Sequence, residues 1–190
     1  MKALVISGSR NPEGQTARAA GALRAGLEAE EVAVDTVFLP ELSLERCRQC
    51  EADGWGLCRG EGRCVIEDDF AGLVDRLAAA DLAVFATPVY WGDLSESLRA
   101  FLDRLRRVGR HETGKARVAG KPAFGICVAG GGGGGAPSCA VSLDKVLSTC
   151  GFDLVDVVLA RRQNLDLKVQ VLESSGRWLA RYTAAPRPPR

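Results

Sequence analysis

A three-layer α/β fold, with five parallel strands wound in the order 2-1-3-4-5 and helices on both faces, is what this sequence predicts, and three observations carry that reading. Short apolar runs of strand length recur along the chain, four of the five running into a Gly-, Pro- or Ser-containing turn. Segments with helical spacing lie between them, so strand and helix alternate. Right-handed crossovers between parallel strands then leave few topologies, and the doubly wound order is the natural one for five strands.

The elements follow in order. Lys2 to Ile6 is a buried strand, and Thr16 to Glu30 is a helix with Ala19, Ala22, Leu23 and Leu27 on one stripe. Val32 to Leu39 partly alternates and is rich in valine, which suits a second strand near a sheet edge, and Pro40 ends it. Residues 40–69 hold four cysteines, four glycines and Trp55 with little periodicity. They read as an ordered insertion, fixed by something other than regular backbone hydrogen bonding. Phe70 to Ala80 is a helix, 82–87 the third strand and 94–107 another helix, after which Val108 to Gly120 reads as a polar surface loop. Pro122 to Val128 is the fourth strand. The run Gly130 to Gly135 follows it, then a helix from Ser138 to Cys150 with Gly151 as its terminator. Phe152 to Leu159 is the fifth strand, and Asp166 to Tyr182 is a final helix with Leu167, Val171 and Trp178 among its apolar positions. Residues 1–183 thus form one domain, and the Pro- and Arg-rich stretch 184–190 is expected to be a flexible tail.

A chain of 190 residues buries roughly 70% of its unfolded surface, so it needs neither metal nor disulfide to fold. The 25 Lys and Arg balance 24 Asp and Glu, which argues against nucleic acid or an anionic membrane as partner. The apolar run Ala3 to Ile6 is too short for an export signal or a membrane span, and a cytoplasmic location is expected. Seven cysteines, an odd number, then read as thiols or thiolate ligands and not as a disulfide framework.

Three segments carry chemistry. Gly8 to Thr16 joins the first strand to the first helix. Ser9 and Thr16 offer hydroxyls, Gly14 offers close approach, and the N–H groups at the helix start attract an anion, a monophosphate better than a pyrophosphate. The bland alternative is an ordinary capped turn. Thr87-Pro88-Val89-Tyr90-Trp91-Gly92-Asp93 leaves the third strand with two aromatic faces suited to a flat ring system such as a flavin. Gly130, Gly131 and Gly132 open a run in which bare backbone approaches a ligand edge, or else a flexible linker. All three follow strands 1, 3 and 4, on one sheet edge near the switch point, where such folds bind ligands.

The opening Gly8-Ser9-x4-Gly14-x-Thr16, the loop Pro88 to Gly92 running into Leu98-Arg99-Ala100-Phe101-Leu102-Asp103-Arg104, and the glycine run together resemble the NAD(P)H-dependent FMN reductases and related iron-sulfur flavoproteins of the flavodoxin-like superfamily. The resemblance implies that Ser9, Asn11, Gly14, Gln15 and Thr16 hold the FMN phosphate. It further implies that Pro88, Val89, Tyr90, Trp91 and Gly92 border the isoalloxazine and that Gly130, Gly131 and Gly132 approach its edge. It implies NAD(P)H as reductant, a small-molecule acceptor, a homodimer or homotetramer, and no catalytic side chain, since the flavin carries the redox chemistry.

Cys47-x2-Cys50-x7-Cys58-x5-Cys64 resembles the cysteine segment of the iron-sulfur flavoproteins, with the third cysteine displaced by Glu51 to Leu57. Four thiolates in this span suit a [4Fe-4S] cluster, a tetrahedral Zn, or no metal at all. A cluster would bring in a ferredoxin-type donor. Cys127, Cys139 and Cys150 read as buried core thiols, and His111 as a solvated side chain. Arg106, Arg107, Arg110 and Lys115 read as a solvated face that complements a helix dipole, or as a cofactor-phosphate contact.

Overall fold

A computed structural model describes residues 1–185 and has the expected architecture. Strands β1 (Lys2–Ser7), β2 (Ala33–Phe38), β3 (Leu82–Pro88), β4 (Pro122–Ala129) and β5 (Asp153–Arg161) form one parallel sheet in the order β2-β1-β3-β4-β5. Helices α1 (Gln15–Glu28) and α7 (Leu165–Ala184) cover one face, and α3 (Phe70–Ala79), α4 (Glu96–Val108) and α6 (Ala136–Cys150) the other. Two single-turn helices complete the set, α2 (Leu57–Gly60) and α5 (Glu112–Lys115).

The strand period of two sorts the central strands between two cores. Leu4, Ile6, Ala83, Phe85, Ala123 and Cys127 point to the α3–α4–α6 side, while Ala3, Val5, Leu82, Val84, Phe124 and Ile126 point to the α1–α7 side. This two-sided burial is why β1, β3 and β4 are near-continuous apolar runs. Gly125 is crowded by α6 and by β5: a Cβ there would stand 2.9 Å from Leu143 Cδ2 and 3.0 Å from Val157 Cγ2.

Helix α1 crosses α7 at a pair of glycines. A Cβ on Gly26 would fall 2.0 Å from the Glu173 carbonyl oxygen, and one on Gly176 would fall 2.2 Å from that of Leu23. Bare backbone at the crossing lets Leu23, Leu27, Leu172 and Leu179 bury fully around it.

Three expectations change. Val108 to Gly120 is not a plain surface loop, because it contains α5 and buries Val108, Gly114 and Val118. Gly114 touches the Val108 carbonyl so closely that a Cβ would lie 2.0 Å from it, which holds the stretch against the body of the protein. His111 is half-buried and caps α5, its Nδ1 accepting the Thr113 N–H at 3.3 Å. At the other end Ala184 is still helical, and residues 186–190 of the expected tail lie outside the described residues.

Candidate functional site

The first loop leaves β1 at Gly8, whose N–H donates to the Ala86 carbonyl at 2.8 Å and whose carbonyl accepts from Ser97 Oγ at 3.2 Å. A side chain has no room there, since a Cβ would lie 2.2 Å from Ser95 Oγ. Ser9 and Thr16 are buried beneath the loop. Ser9 Oγ bridges the Asn11 backbone at 3.2 Å, and Asn11 Oδ1 accepts the Glu13 N–H at 2.9 Å, so the Asn11 side-chain oxygen shapes the turn. Gly14 sits at the helix start without a side-chain cap, and the first turn of α1 carries no acidic residue. Its orphan N–H groups therefore keep their affinity for an anion.

The second loop is a tight hairpin turn. Tyr90 and Asp93 exchange backbone hydrogen bonds of 3.0 and 2.9 Å, and between them Trp91 (φ 52°) and Gly92 (φ 78°) are both left-handed, a type I′ turn. Such a φ costs a bulky L-residue about 1–2 kcal/mol. The turn leaves Trp91 fully exposed and Tyr90 half so, neither a core aromatic. Below it, Thr87 Oγ1 accepts the Ser95 N–H at 3.0 Å, and Ser95 Oγ caps α4 by accepting the Leu98 N–H. Asp93 is ion-paired to Arg99. Burial pushes the Asp93 carboxyl up, but the Leu94 N–H, Arg99 and Ser142 outweigh it and hold it below the usual carboxylate range.

In the third loop Gly131, Gly133 and Gly135 have φ of 46°, 77° and 78°, and the Gly133 N–H closes a turn on the Gly130 carbonyl at 2.8 Å. Gly130 and Gly132 face open space, with nothing within 4 Å of a notional Cβ. Gly135 packs on the second loop, where a Cβ would meet Gly92 Cα at 2.6 Å. The Val89 N–H donates to the Val128 carbonyl at 2.9 Å and ties the same two loops at their bases. A cleft of ≈580 Å³ opens beside the first two loops, bounded by Gly8, Arg10, Leu42, Leu44, Tyr90 and Ser97.

Residues 1–163 match the NADPH-dependent FMN reductase family. The chain belongs to that family. An iron-sulfur flavoprotein of Methanocaldococcus jannaschii is 32% identical over 125 residues, which cover 63% of this chain and 62% of that protein. Another, from Methanosarcina thermophila, is 33% identical over 104 residues, covering 55% and 52%. The chain thus spans less than two thirds of either relative. A solved NAD(P)H:quinone oxidoreductase from Methanothermobacter marburgensis shares the fold, with a TM-score of 0.68 at 18% identity over 94% of this chain and 96% of that one. In this FMN reductase family member the three loops that leave β1, β3 and β4, though far apart in sequence, lie at one edge of the sheet.

The cysteine insertion forms a second feature. Cys47, Cys50, Cys58 and Cys64 line one narrow cavity of ≈20 Å³ together with Arg48, Arg104 and Arg107. Among the described residues no three His, Cys, Asp or Glu side chains are grouped to hold a single metal ion. The insertion is fixed by a buried ion pair. Arg104, 1% exposed, forks onto Asp68 at 2.6 and 2.9 Å and donates to the Glu45 carbonyl at 3.1 Å, while Asp68 also accepts the Glu45 N–H at 2.8 Å. Burial pushes the Asp68 carboxyl up, yet Arg104 and the Glu45 and Phe70 N–H groups hold it below its ordinary range. Composition did not single out either partner. The available signal was helical phase: Arg104 lies between Phe101 and Val108 on the apolar stripe of α4, where an unpaired charge is untenable.

Of the basic residues after α4, Arg107 is not simply solvated: it donates to the Gly54 carbonyl at 2.7 Å and lies 4.7 Å from the Trp55 ring centroid. Cys127 and Cys139 are buried with sulfurs 3.6 Å apart. Their mutual hydrogen bond and burial raise the Cys127 thiol far above its ordinary value, and burial pushes Cys150 up to about 12. These three are inert core thiols.

Proposed function

We propose that the chain is an FMN-dependent oxidoreductase that takes reducing equivalents from NADH or NADPH and passes them to a small acceptor such as a quinone, a nitro or azo compound, a ferric chelate or another flavin. The observation that carries this reading is the convergence of three ligand-type loops, one of them ending on an uncapped helix start, in a chain of the FMN reductase family. In this reading the phosphate is held by the first-turn N–H groups of α1, Gln15 and Thr16 among them, and by the hydroxyls of Ser9 and Thr16. Bound FMN would supply the hydride and electron chemistry. Tyr90 and Trp91 flank the ring plane, and Gly130 to Gly132 bring backbone to its edge without side-chain interference.

A second reading makes the chain an iron-sulfur flavoprotein with a ferredoxin-type donor. What favours it is that four cysteines line one cavity and that relatives at 32% and 33% identity carry that name. The cavity would lie about 13 Å along α4 from the flavin loops, taking Ser95 to Arg104 at 1.5 Å per residue. A homodimer or homotetramer belongs to either reading. Leu167, Val171 and Trp178 leave an exposed apolar stripe on α7, beside a surface cleft of ≈640 Å³ that suits a subunit contact.

The test is an absorption spectrum of protein purified without oxygen, with flavin and iron assayed on the same sample. Bands at about 370 and about 450 nm, bleached by NADPH or NADH, are expected for the reductase. Broad absorption at about 400 nm with about four irons per chain selects the second reading. A colourless protein that takes up no added FMN overturns both.

A further inference from the structure

Four of the five N–H bonds of Arg104 are engaged, and the fifth, on Nε, is not. Its two Nη groups are engaged with Asp68, the Glu45 carbonyl and the Ile66 carbonyl, and its plane lies 4.2 Å from the Phe70 ring centroid. Nε, by contrast, is buried with no hydrogen-bond partner. A buried donor without a strong acceptor is costly, so this atom points to a group that can accept from it.

The same guanidinium lines the cysteine cavity and interacts with Cys64. Cysteine sulfur is the acceptor chemistry that Cys47, Cys50, Cys58 and Cys64 bring to that cavity, and it becomes a strong acceptor only as a thiolate or as part of a cluster. Donor set and orphaned atom match the chemistry of an anionic, thiolate-bound group, which in the second reading is an iron-sulfur cluster. Resting on the iron-sulfur reading above, we propose that Arg104 donates through Nε to a sulfur of the cluster and raises its reduction potential.

The physical basis is charge. One-electron reduction adds a negative charge to the cluster, and a fixed guanidinium hydrogen-bonded to sulfur favours the more negative state. Arg104 is held there independently of the cluster by its fork onto Asp68, so its orientation is set before iron arrives. Lysine in its place keeps a charge but has no equivalent of Nε.

The experiment is an EPR-monitored redox titration of anaerobically prepared wild-type, R104K and R181K proteins, with iron and acid-labile sulfide counted on each. R104K is expected to hold wild-type iron with a more negative midpoint, while R181K, at an exposed position on α7 paired with Glu30, stays at the wild-type value. A wild-type midpoint in iron-replete R104K overturns the proposal and leaves the cluster reading intact, whereas absence of iron from wild-type protein overturns the cluster reading itself. Should R104K fail to hold iron, pulsed EPR on reduced wild-type and R48K/R107K proteins labelled with [15N]arginine decides the matter, since Arg48 and Arg107 also line the cavity. A 15N coupling to the cluster in both supports the proposal, and its absence from either overturns it.

Discussion

Two glycines on one helix should respond to alanine in opposite directions. Gly21 and Gly26 both lie inside α1, but Gly21 has nothing within 4 Å of a notional Cβ, whereas that of Gly26 falls 2.0 Å from the Glu173 carbonyl oxygen on α7. At Gly21 only the helix preference acts, and alanine is expected to stabilise by about 0.8–1 kcal/mol. At Gly26 the same gain is opposed by a contact more than about 1 Å short of the roughly 3.3 Å at which carbon meets a carbonyl oxygen. Backbone cannot rotate away as a side chain does, so α1 and α7 must separate and loosen the packing of Leu23, Leu27, Leu172 and Leu179. Overpacking of this kind costs about 1–3 kcal/mol net. With about 2–4 °C of melting temperature per kcal/mol at this chain length, G21A should melt about 2–4 °C higher and G26A about 2–12 °C lower than wild type. Far-UV circular dichroism melts at matched flavin loading measure both, since a bound ligand shifts the midpoint on its own. If G26A proves as stable as G21A, the close crossing is not what holds these helices together.

Three further outcomes are expected. G8A places a methyl group against Ser95 Oγ, and should lose retained FMN on gel filtration while keeping the wild-type circular dichroism spectrum. D68N strands the buried Arg104 and should lower stability at pH 7 by about 3–5 kcal/mol in urea titrations. Because the folded-state value of Asp68 is depressed, its contribution is complete above the unfolded value of about 3.9 and is lost as pH falls through the folded one, so wild type should lose its advantage over D68N only in that acid range. In metal-stripped native protein a thiol reagent should label Cys47, Cys50, Cys58 and Cys64, with Cys127, Cys139 and Cys150 reacting only after denaturation. Labelling of Cys127 in the native state would contradict its burial.

The sheet was legible because β1, β3 and β4 are buried on both faces and so appear as unbroken apolar runs, and the candidate ligand loops were placed where those runs stop. Gly151 was legible as a helix terminator because a left-handed residue there, at φ 95°, favours glycine. Features that depend on two distant segments meeting were not legible. Gly26 gives no local sign that Gly176 lies across from it, and Asp68 gives none that Arg104 will reach it. The short helix at Glu112–Lys115 escaped for a different reason: one turn is too brief to show a period, and a histidine cap lacks the usual Ser, Thr, Asp or Asn signature. At the cysteine insertion, spacing in the sequence identified the four thiols, while their shared cavity and its buried cation emerged only from the fold.

The strained turn at Trp91 has an optical consequence. The chain has three tryptophans, of which Trp55 lies against Arg107 and Trp178 stacks on Tyr182 with centroids 4.9 Å apart. Trp91 instead is fully exposed at the rim of the candidate loops. Its indole should emit as a hydrated fluorophore, beside the place where in the proposed function a yellow, strongly absorbing ring docks. With Trp55 and Trp178 replaced by phenylalanine, the remaining emission becomes a gauge of what occupies that rim, built into the protein by a single left-handed residue.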